Sequence, residues 1–361
     1  MVFVFAGVLM LARGLEATLV DTGSPDNVIV LRRSATSELS SQVDRATADA
    51  LEAESGVARA ADGRALLSRE VMLIINLYKK KSGALGNVST RGVSPRSLEL
   101  RPGIRIVQGR PFQFGTHQIV VGKSIAARFQ GVTLGAQLSF AGDRWTVVGI
   151  TDAGNTGFDS EIWGDVDQFM QAAGRPVYSS LTFRLADAGQ FDQLKSRLQA
   201  DPRFQYVELK HERDYYRDQS KTLATFIRRL GLVVTIIFSF GAMIGAMITM
   251  YAAVANRTVE VGTLRALGFR RRTVLTAFLV ESVVLAVVGG VLGVALAALL
   301  SFQRISVVNF QSFSEIGFGF ALSPRVIVSA LIFAVVMGVV GGFLPAARAA
   351  RLDIVNALRA S

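Results

Sequence analysis

Hydrophobic and polar positions divide the chain into two halves that need different solvents. Between about residues 20 and 220 they alternate over short distances, which is typical of a water-soluble domain. Beyond residue 230, long apolar runs are separated by short arginine clusters. The uncharged runs cover 26 residues at 230–255 and 22 residues each at 282–303 and 326–347. About 20 apolar residues in a helix span a bilayer, so three transmembrane helices are predicted, over 230–255, 273–303 and 326–347.

The N-terminal segment is apolar over a shorter stretch. Residues 1–12 (MVFVFAGVLMLA) carry no charge, and Arg13 follows. A signal peptide is one interpretation, but the run has no basic residue before it and no A-x-A-like cleavage site after it. The favoured interpretation is a partial first transmembrane helix over 1–20, whose inner turns are missing from this sequence.

Between the first two apolar segments, the pattern predicts an α+β domain over 21–211. A strand, an amphipathic helix and a second strand are predicted at 27–32, 40–54 and 56–61. The same order recurs at 180–185, 190–199 and 204–209. Two β-α-β units that flank an insertion predict a split ferredoxin-like lobe.

The insertion, at about 65–179, predicts a β-rich lobe because short strands are punctuated there by glycines. These strands are predicted at 71–77, 104–107, 118–121, 137–140 and 144–150. Residues 212–229 are charged, lack Gly and Pro, and run directly into the second apolar segment. They predict a stalk helix that carries motion between the domain and the membrane, or else a solvated connecting helix.

The position of the charge matters more than the net value of +11. Residues 21–221 are nearly balanced, with 26 basic and 23 acidic side chains. The segment 256–272 carries five arginines against Glu260, and the tail 348–361 carries three against Asp353. Short basic loops mark the cytoplasmic side, so the loop 304–325 and the domain lie outside. Because the charge follows the membrane topology, nucleic-acid binding is not indicated.

Candidate chemistry is sparse along the chain. Gly122, Lys123 and Ser124 resemble the end of a phosphate-binding loop, but His117 occupies the position of the required first glycine. ATP hydrolysis by this chain is therefore not expected. The two histidines, His117 and His211, have no neighbouring ligand set, and the chain has no cysteine. No metal or cofactor is predicted.

Glycines four residues apart occur in each of the three long apolar runs. Such spacing opens a groove for close helix packing, although transmembrane helices are also rich in glycine generally. The pairs are Gly241 and Gly245, Gly289 and Gly293, and Gly338 and Gly342.

Glu281 lies at the cytoplasmic start of the third apolar run. Burying a charged carboxylate inside the membrane costs free energy, so one interpretation is that Glu281 has a function there, for example in a proton relay. The favoured alternative is that its side chain reaches back toward Arg271 or Arg272.

The segment 256–268 (NRTVEVGTLRALG) lies between the second and third apolar runs and predicts a short amphipathic helix. Val261, Leu264 and Leu267 or Gly268 fall near one stripe, and Gly268 suits a left-handed helix cap. Such a stripe can be presented to a partner protein, or can lie on anionic lipid headgroups.

This segment closely resembles the coupling helix of the MacB, LolC and FtsX type of ABC transporter permease. Its residues 259–268 correspond to the helix that inserts into the ATPase in that family. The matching residues, after Val259, are Glu260, Val261, Gly262, Leu264, Arg265, Ala266, Leu267 and Gly268. Asn256 departs from a commonly acidic position. Residues 345–353, continuing to Arg359, resemble the family's C-terminal signature.

The resemblance implies an α-helical membrane protein with four spans, of which the first is truncated here, and a large α+β extracytoplasmic domain. It implies a permease of the bacterial inner membrane that pairs with itself or with a sister permease. ATP and magnesium would bind to a separate ABC ATPase, which presses on the coupling helix. A periplasmic adaptor and membrane lipid are the other expected partners.

Two functions remain open at this stage. The first is an efflux or transport subunit that handles an amphiphile, a peptide or a lipoprotein, and the large outer domain favours it. The second is a regulatory transducer that activates an extracytoplasmic cell-wall hydrolase by the same mechanotransmission.

Overall fold

A computed structural model describes residues 1–309 and 314–352 of the chain. Part of the predicted tail, including Asp353, Ala357 and Arg359, lies outside the described residues. The helices are α1 (Val2–Val20), α2 (Arg45–Glu52), α3 (Ser97–Leu100), α4 (Lys123–Arg128), α5 (Val166–Ala172), α6 (Phe191–Ala200), α7 (Glu212–Asn256), α8 (Thr258–Ala266), α9 (Arg271–Ala298) and α10 (Pro324–Ala350).

The strands fall in the first 211 residues and in the segment between α9 and α10. They are β1 (Asn27–Arg32), β2 (Leu67–Tyr78), β3 (Leu85–Val93), β4 (Arg105–Gly109), β5 (Gln118–Gly122), β6 (Gln137–Phe140), β7 (Asp143–Asp152), β8 (Glu161–Asp165), β9 (Ser180–Arg184), β10 (Val207–His211), β11 (Arg304–Val308) and β12 (Glu315–Gly319).

The chain divides into two compact units. The helical unit comprises Met1–Gly14, Ala224–Gln303 and Gly319–Ser361, and the sheet unit comprises Leu15–Leu223 and Arg304–Phe318. Helices α1, α7, α9 and α10 are long and apolar enough to cross a membrane, since each contains an 18-residue stretch with a mean hydropathy of 1.7, 2.2, 2.8 and 2.6, respectively. The predicted stalk and second span form one helix of 45 residues, α7.

The sheet unit is built on one mixed sheet. Its strand order is β10-β1-β9-β2-β3-β8-β5-β7-β4, with β6 also paired to β7. The β3–β8 and β5–β7 pairs are parallel, and the other recorded pairs are antiparallel. The strands of the predicted insertion continue this sheet rather than forming a separate lobe, because β2 pairs with β9 along one edge and with β3 along the other.

Both faces of the sheet are covered. Val28 and Val30 of β1 point into the larger core, which also contains residues of α2, α4, α5 and α6. Ile29 and Leu31 point into a second core on the other face. Alternate residues of a strand face opposite sides, and here both sides are apolar.

Several predicted elements differ from the structure. The strand predicted at 56–61 is replaced by isolated bridges, because a turn at Ala60–Gly63 folds the chain back so that Arg59 meets Ala65. Helix α2 begins later than predicted, since the carboxylate of Asp44 caps it by accepting a hydrogen bond from the Thr47 N–H at 2.6 Å. Strand β10 begins at Val207 because a 3-10 turn occupies Pro202–Phe204.

Strands β3 and β8 were not predicted from the sequence. Strand β3 (LGNVSTRGV) contains small and polar residues, and β8 (EIWGD) has an acidic residue at each end. The segment 304–325, predicted as a loop, contains the β11–β12 hairpin, and Asn309 N–H donates to the Ser314 carbonyl at 2.8 Å. We call residues 304–319 the hairpin segment.

Candidate coupling segment on the helical unit

Helix α8 ends in a motif that depends on one glycine. Gly268 has φ +99°, and its N–H donates to the Arg265 carbonyl at 3.1 Å. The Phe269 N–H donates to the Leu264 carbonyl at 3.2 Å. This pair of bonds satisfies carbonyls that the helix end would otherwise leave free. Gly268 therefore adopts the left-handed conformation that the sequence predicts.

One side of α8 belongs to the core of the helical unit. Val261 is only 3% exposed, and Gly262 is also buried. The apolar cluster around Val261 draws on α7, α9 and α10 and consists of Met250, Val254, Val274, Phe278, Ala346, Ala349 and Ala350. This packing anchors α8 against three of the apolar helices.

The opposite side of α8 is open to solvent. Leu264 is 42% and Leu267 is 73% exposed, and Val259, Glu260 and Ala266 are exposed too. Of the stripe predicted from Val261, Leu264 and Leu267 or Gly268, Val261 is buried and the other three residues are exposed. At about 100° per residue, Val261 and Leu267 lie about 120° apart around the axis, so one faces the core and the other faces outward.

Two arginines hold the segment in place, and sequence reasoning missed both contacts. Arg265 donates a hydrogen bond from its guanidinium to the Ala350 carbonyl at 3.0 Å. Arg257, at the break between α7 and α8, forms an ion pair with Glu281 of α9 at 3.1 Å. In the sequence, only the excess of arginine over acid in this segment hints at these contacts.

The observed partner of Glu281 corrects the expectation that it reaches Arg271 or Arg272. Those residues start α9, ten and nine positions before Glu281. At about 1.5 Å per residue the axial separation is roughly 14 Å, which exceeds the reach of paired side chains. Arg257 arrives instead from a different helix.

A cavity of about 250 Å³ lies beside the exposed side of α8. Its walls are mainly apolar and its rim carries both signs of charge. The lining residues are Arg257, Glu260, Val261, Leu264, Phe269, Thr273, Val274, Ala277, Phe278 and Glu281. Apolar walls with a mixed charged rim are chemically suited to a protein partner.

The predicted packing glycines behave in two ways. A Cβ on Gly338 would lie 2.7 Å from Ala286 Cβ, and one on Gly342 would lie 2.5 Å from Ser282 Cβ. A Cβ on Gly293 would lie 3.1 Å from Val2 Cβ. These three glycines therefore lie where helices approach closely.

The other three predicted glycines face open space. Among the described residues, nothing lies within 4 Å of a Cβ built on Gly241, Gly245 or Gly289. Sequence reasoning missed Gly290, where a Cβ would lie 2.7 Å from Ala334 Cβ. It also missed the Ser282 hydroxyl, which donates to the Gly338 carbonyl at 2.8 Å.

The remaining candidate residues lie in the sheet unit. Gly122 and Lys123 form the junction of β5 and α4, and the Lys123 ammonium pairs with Asp152 and Asp159. His117 lies against Trp145 and His211 against Phe191. Within residues 1–309 and 314–352, no group of three or more His, Cys, Asp or Glu side chains is arranged to hold a metal ion.

Two family models together match most of the chain. Residues 2–201 match the MacB-like periplasmic core domain, and residues 232–354 match the FtsX-like permease C-terminal domain.

Curated relatives carry names of export proteins. The macrolide export ATP-binding/permease protein MacB of Escherichia coli is 27% identical over 310 residues, which cover 81% of this chain and 46% of the relative. The pyoverdine export ATP-binding/permease protein PvdT of Pseudomonas fluorescens (strain Pf0-1) is 38% identical over 151 residues, which cover 42% of this chain and 22% of the relative. The chain thus spans less than half the length of these relatives.

Among solved structures, the periplasmic region of MacB from Actinobacillus actinomycetemcomitans is similar, with a TM-score of 0.39 and 13% identity. The match covers 57% of this chain and 94% of that one.

Proposed function

Because the chain belongs to the MacB/FtsX type of ABC transporter permease and is a multi-pass membrane protein, we propose that it is the permease subunit of an ATP-driven export complex. The observation that carries this proposal is the division of α8 into two sides. Val261 anchors the helix in the core of the helical unit, while Glu260, Leu264 and Leu267 stay exposed. An anchored helix with an exposed apolar side is suited to receive a push from a docked ATPase.

The basic segments support an inner-membrane location with the sheet unit outside the cytoplasm. Arg270 lies just before α9, Arg271 and Arg272 begin α9, and Arg348 and Arg351 lie at the end of α10. Short loops rich in arginine stay on the cytoplasmic side. Helix α8 would then lie in the cytoplasm, where an ATPase has access to it.

ATP hydrolysis is assigned to a separate ATPase subunit. The names of the relatives include ATP binding, and less than half of their length corresponds to this chain. Closure of the ATPase around ATP would press on α8, and the displacement would pass along α7, whose N-terminal turns belong to the sheet unit. We assign mechanotransmission to this helix.

The cargo class is proposed as an amphiphile, peptide or lipoprotein. Relatives are named for macrolide and for pyoverdine export, which favours export over the activation of a cell-wall hydrolase. A periplasmic adaptor would receive the cargo. We also infer that β10-β1-β9-β2, with α2 and α6, is the split ferredoxin-like lobe. In this order β10 and β9 run in the same direction on either side of β1, and β1 and β2 run in the same direction on either side of β9.

A second permease copy, or a sister permease, is the proposed neighbour in the membrane. The open space at Gly241 and Gly245 of α7 supports this pairing, since glycines four apart allow a close approach of helices. The remaining apolar surface of the four helices would contact membrane lipid.

The docking proposal is tested by placing a charge on the exposed side of α8. Leu264→Asp and Glu260→Lys are expected to abolish the stimulation of the partner ATPase by the permease. Docking would bury the side chain at position 264, so Leu264→Asp places a charge in the contact. Glu260→Lys reverses the charge that meets the ATPase. The measurement is the ATP turnover rate of the reconstituted complex. Membrane insertion of both variants should match that of the wild type.

The matched control is Leu134→Asp, because Leu134 is a half-exposed leucine of the sheet unit. It should leave the stimulated rate unchanged. Full stimulation by the Leu264→Asp permease would remove α8 as the docking site.

A further inference from the structure

We propose that Glu212, together with Arg101, is a positioning residue that fastens the ends of both α1 and α7 to the sheet. Under this proposal the two helices that lead from the helical unit drive the sheet unit as one body. The inference rests on the proposed function, because it assigns the point at which the ATP-driven displacement reaches the sheet.

Glu212 is the first residue of α7 and has no exposed surface. One oxygen, Oε1, accepts hydrogen bonds from Arg101 Nη2 at 2.8 Å and from Arg101 Nε at 3.1 Å. Arg101 also donates to Glu70 of β2 at 2.6 Å and to Thr182 of β9 at 3.2 Å. The start of α7 is thereby joined, through one guanidinium, to two neighbouring strands.

The other oxygen of Glu212 holds the segment that follows α1. Oε2 accepts hydrogen bonds from the Ser24 N–H and from the Asn27 side-chain amide, each at 3.0 Å. A Cβ on Gly23 would lie 2.6 Å from the backbone of Arg213, so a larger residue does not fit there. The chain leaving α1 and the chain entering α7 are therefore packed backbone to backbone at this carboxylate.

A second arginine extends the network across the sheet. Arg91 of β3, which is 1% exposed, pairs with Glu38 and Glu70 at 2.6 Å and with Glu161 at 2.8 Å. Its Nη2 also lies 3.4 Å from the hydroxyl of Tyr216 in α7. Glu70 bridges the two arginines, so a continuous chain of ion pairs runs from Glu161 of β8 to Glu212.

Aromatic residues pack against the Arg101 side of this network. The Arg101 guanidinium lies 4.9 Å from the ring centre of Phe158 and 5.6 Å from that of Trp163. Tyr215 and Tyr216 of α7 are each 4% exposed and belong to the same apolar cluster as these rings. The first turn of α7 is thus embedded in the second core of the sheet unit.

Buried, multiply bonded charges make this joint stiff. An ion pair in a water-poor site has few alternative partners, and removing one member leaves the other charge uncompensated. Both oxygens of the Glu212 carboxylate accept hydrogen bonds, one from Arg101, which is bonded to the sheet, and the other from the segment after α1. A displacement of α7 therefore moves the sheet directly, without a prior rearrangement of the contacts around Glu212.

The test uses the full chain assembled with its partner ATPase in lipid nanodiscs. The chain has no cysteine, so spin labels can be placed at Tyr206→Cys in the sheet unit and Phe302→Cys in the helical unit, where both side chains are highly exposed. The readout is the change in label-to-label distance on adding ATP with vanadate. The variant is Glu212→Gln, and the matched control is Glu208→Gln in β10, which is partly exposed and forms an ion pair with Lys210.

Glu212→Gln is expected to keep the ATP turnover rate and to reduce the distance change at least twofold, while Glu208→Gln matches the wild type in both. A distance change of wild-type size in a folded Glu212→Gln protein would overturn the inference alone. A wild-type complex without any ATP-dependent change would overturn the proposed function and, with it, the inference.

A measurement on the unmutated protein keeps the test decisive if Glu212→Gln does not fold. Hydrogen exchange at the amides of residues 22–24 and 212–216 should stay equally slow with and without ATP turnover, because a rigid joint does not open. Faster exchange there during turnover would overturn the inference.

Discussion

At the scale of single residues, the charge of Glu70 contributes to the way in which the stability of the sheet unit depends on pH. Burial raises the pKa of Glu70, but Arg101 and Arg91 outweigh this effect and hold the pKa below its ordinary value. For Arg91, burial lowers the pKa, and Glu161 and Glu38 more than reverse that effect, so its pKa lies above its usual range. Both charges are therefore kept in the folded state at neutral pH.

This arrangement predicts a loss of stability in acid. The folded state favours ionised Glu70, so its contribution is complete above the unfolded pKa of about 4.3 and is lost as the pH falls through the lower folded pKa. Glu70→Gln should be less stable than wild type by about 3–5 kcal/mol at pH 7, because it leaves buried guanidinium charge uncompensated. Thermal unfolding from pH 7 to pH 3 should show this gap narrowing below about pH 4.3. A stability difference between the two proteins that does not change with pH would contradict a lowered pKa of Glu70 in the folded state.

Gly268 is the residue on which the end of α8 depends. Its φ is +99°, and nothing among the described residues lies within 4 Å of an added Cβ. Gly268→Ala should therefore cost about 1–2 kcal/mol through backbone strain alone, seen as faster amide exchange at residues 264–269. Gly241→Ala adds the same methyl group in open space at a helical position, so it should leave that exchange unchanged.

At the scale of elements, α9 and α10 pack through small residues. The Ser282 hydroxyl bonds to the Gly338 carbonyl, and an added Cβ on Gly338 would lie 3.1 Å from the Val283 Cα. Gly338→Ala should force the two helices apart and cost about 1–3 kcal/mol, measured as a lower Tm in detergent. Gly289→Ala in the same helix pair meets open space, and an equal loss there would contradict this explanation.

Helix α8 should separate stability from coupling along its two sides. Val261→Ala removes buried apolar surface and is expected to cost about 1–3 kcal/mol of unfolding free energy. Leu267→Ala, at a side chain that is 73% exposed, should keep the wild-type Tm but reduce stimulation of the partner ATPase. The two measurements are thermal unfolding and ATP turnover on the same preparations, and the reverse pattern would contradict the observed division of the helix.

At the scale of the whole molecule, the hairpin segment belongs mainly to the sheet unit. Glu315, which is 5% exposed, pairs with Lys79 at 2.5 Å and with Arg128 at 3.5 Å. The Gly317 N–H donates to the Ser160 hydroxyl at 3.0 Å. The chain therefore passes between the two units at four places rather than two, and the hairpin segment adds the second pair of connections.

Loss of the Glu315 charge should loosen this connection. Glu315→Gln leaves Lys79 and Arg128 without their carboxylate and is expected to speed amide exchange across β11 and β12 several-fold, while exchange in β1 and β9 stays unchanged. Glu208→Gln, which alters a more exposed pair in the same unit, should leave the hairpin segment as it is in the wild type.

The sequence alone determined the apolar helices, their approximate bounds, the family and the position of α8. The spans at 230–255 and 326–347 can be recognised in the sequence because membrane helices need long uncharged runs. The cap at Gly268 can be recognised because the left-handed conformation favours glycine. Strands such as β1 and β6 followed from local alternation. These features depend on neighbouring residues in the chain, so local patterns carry them.

Only the tertiary structure decided which side of α8 is anchored, which glycines touch another helix, and that Glu281 meets Arg257. The buried network of Glu212, Arg101, Glu70 and Arg91 was equally invisible, because its members are up to 142 positions apart and each is an ordinary charged residue by itself. The strands β3 and β8 were also not predicted from the sequence, since their burial comes from neighbouring strands that are distant in the chain. Long-range contacts set these features, and a linear pattern of polarity does not encode which distant charges will meet.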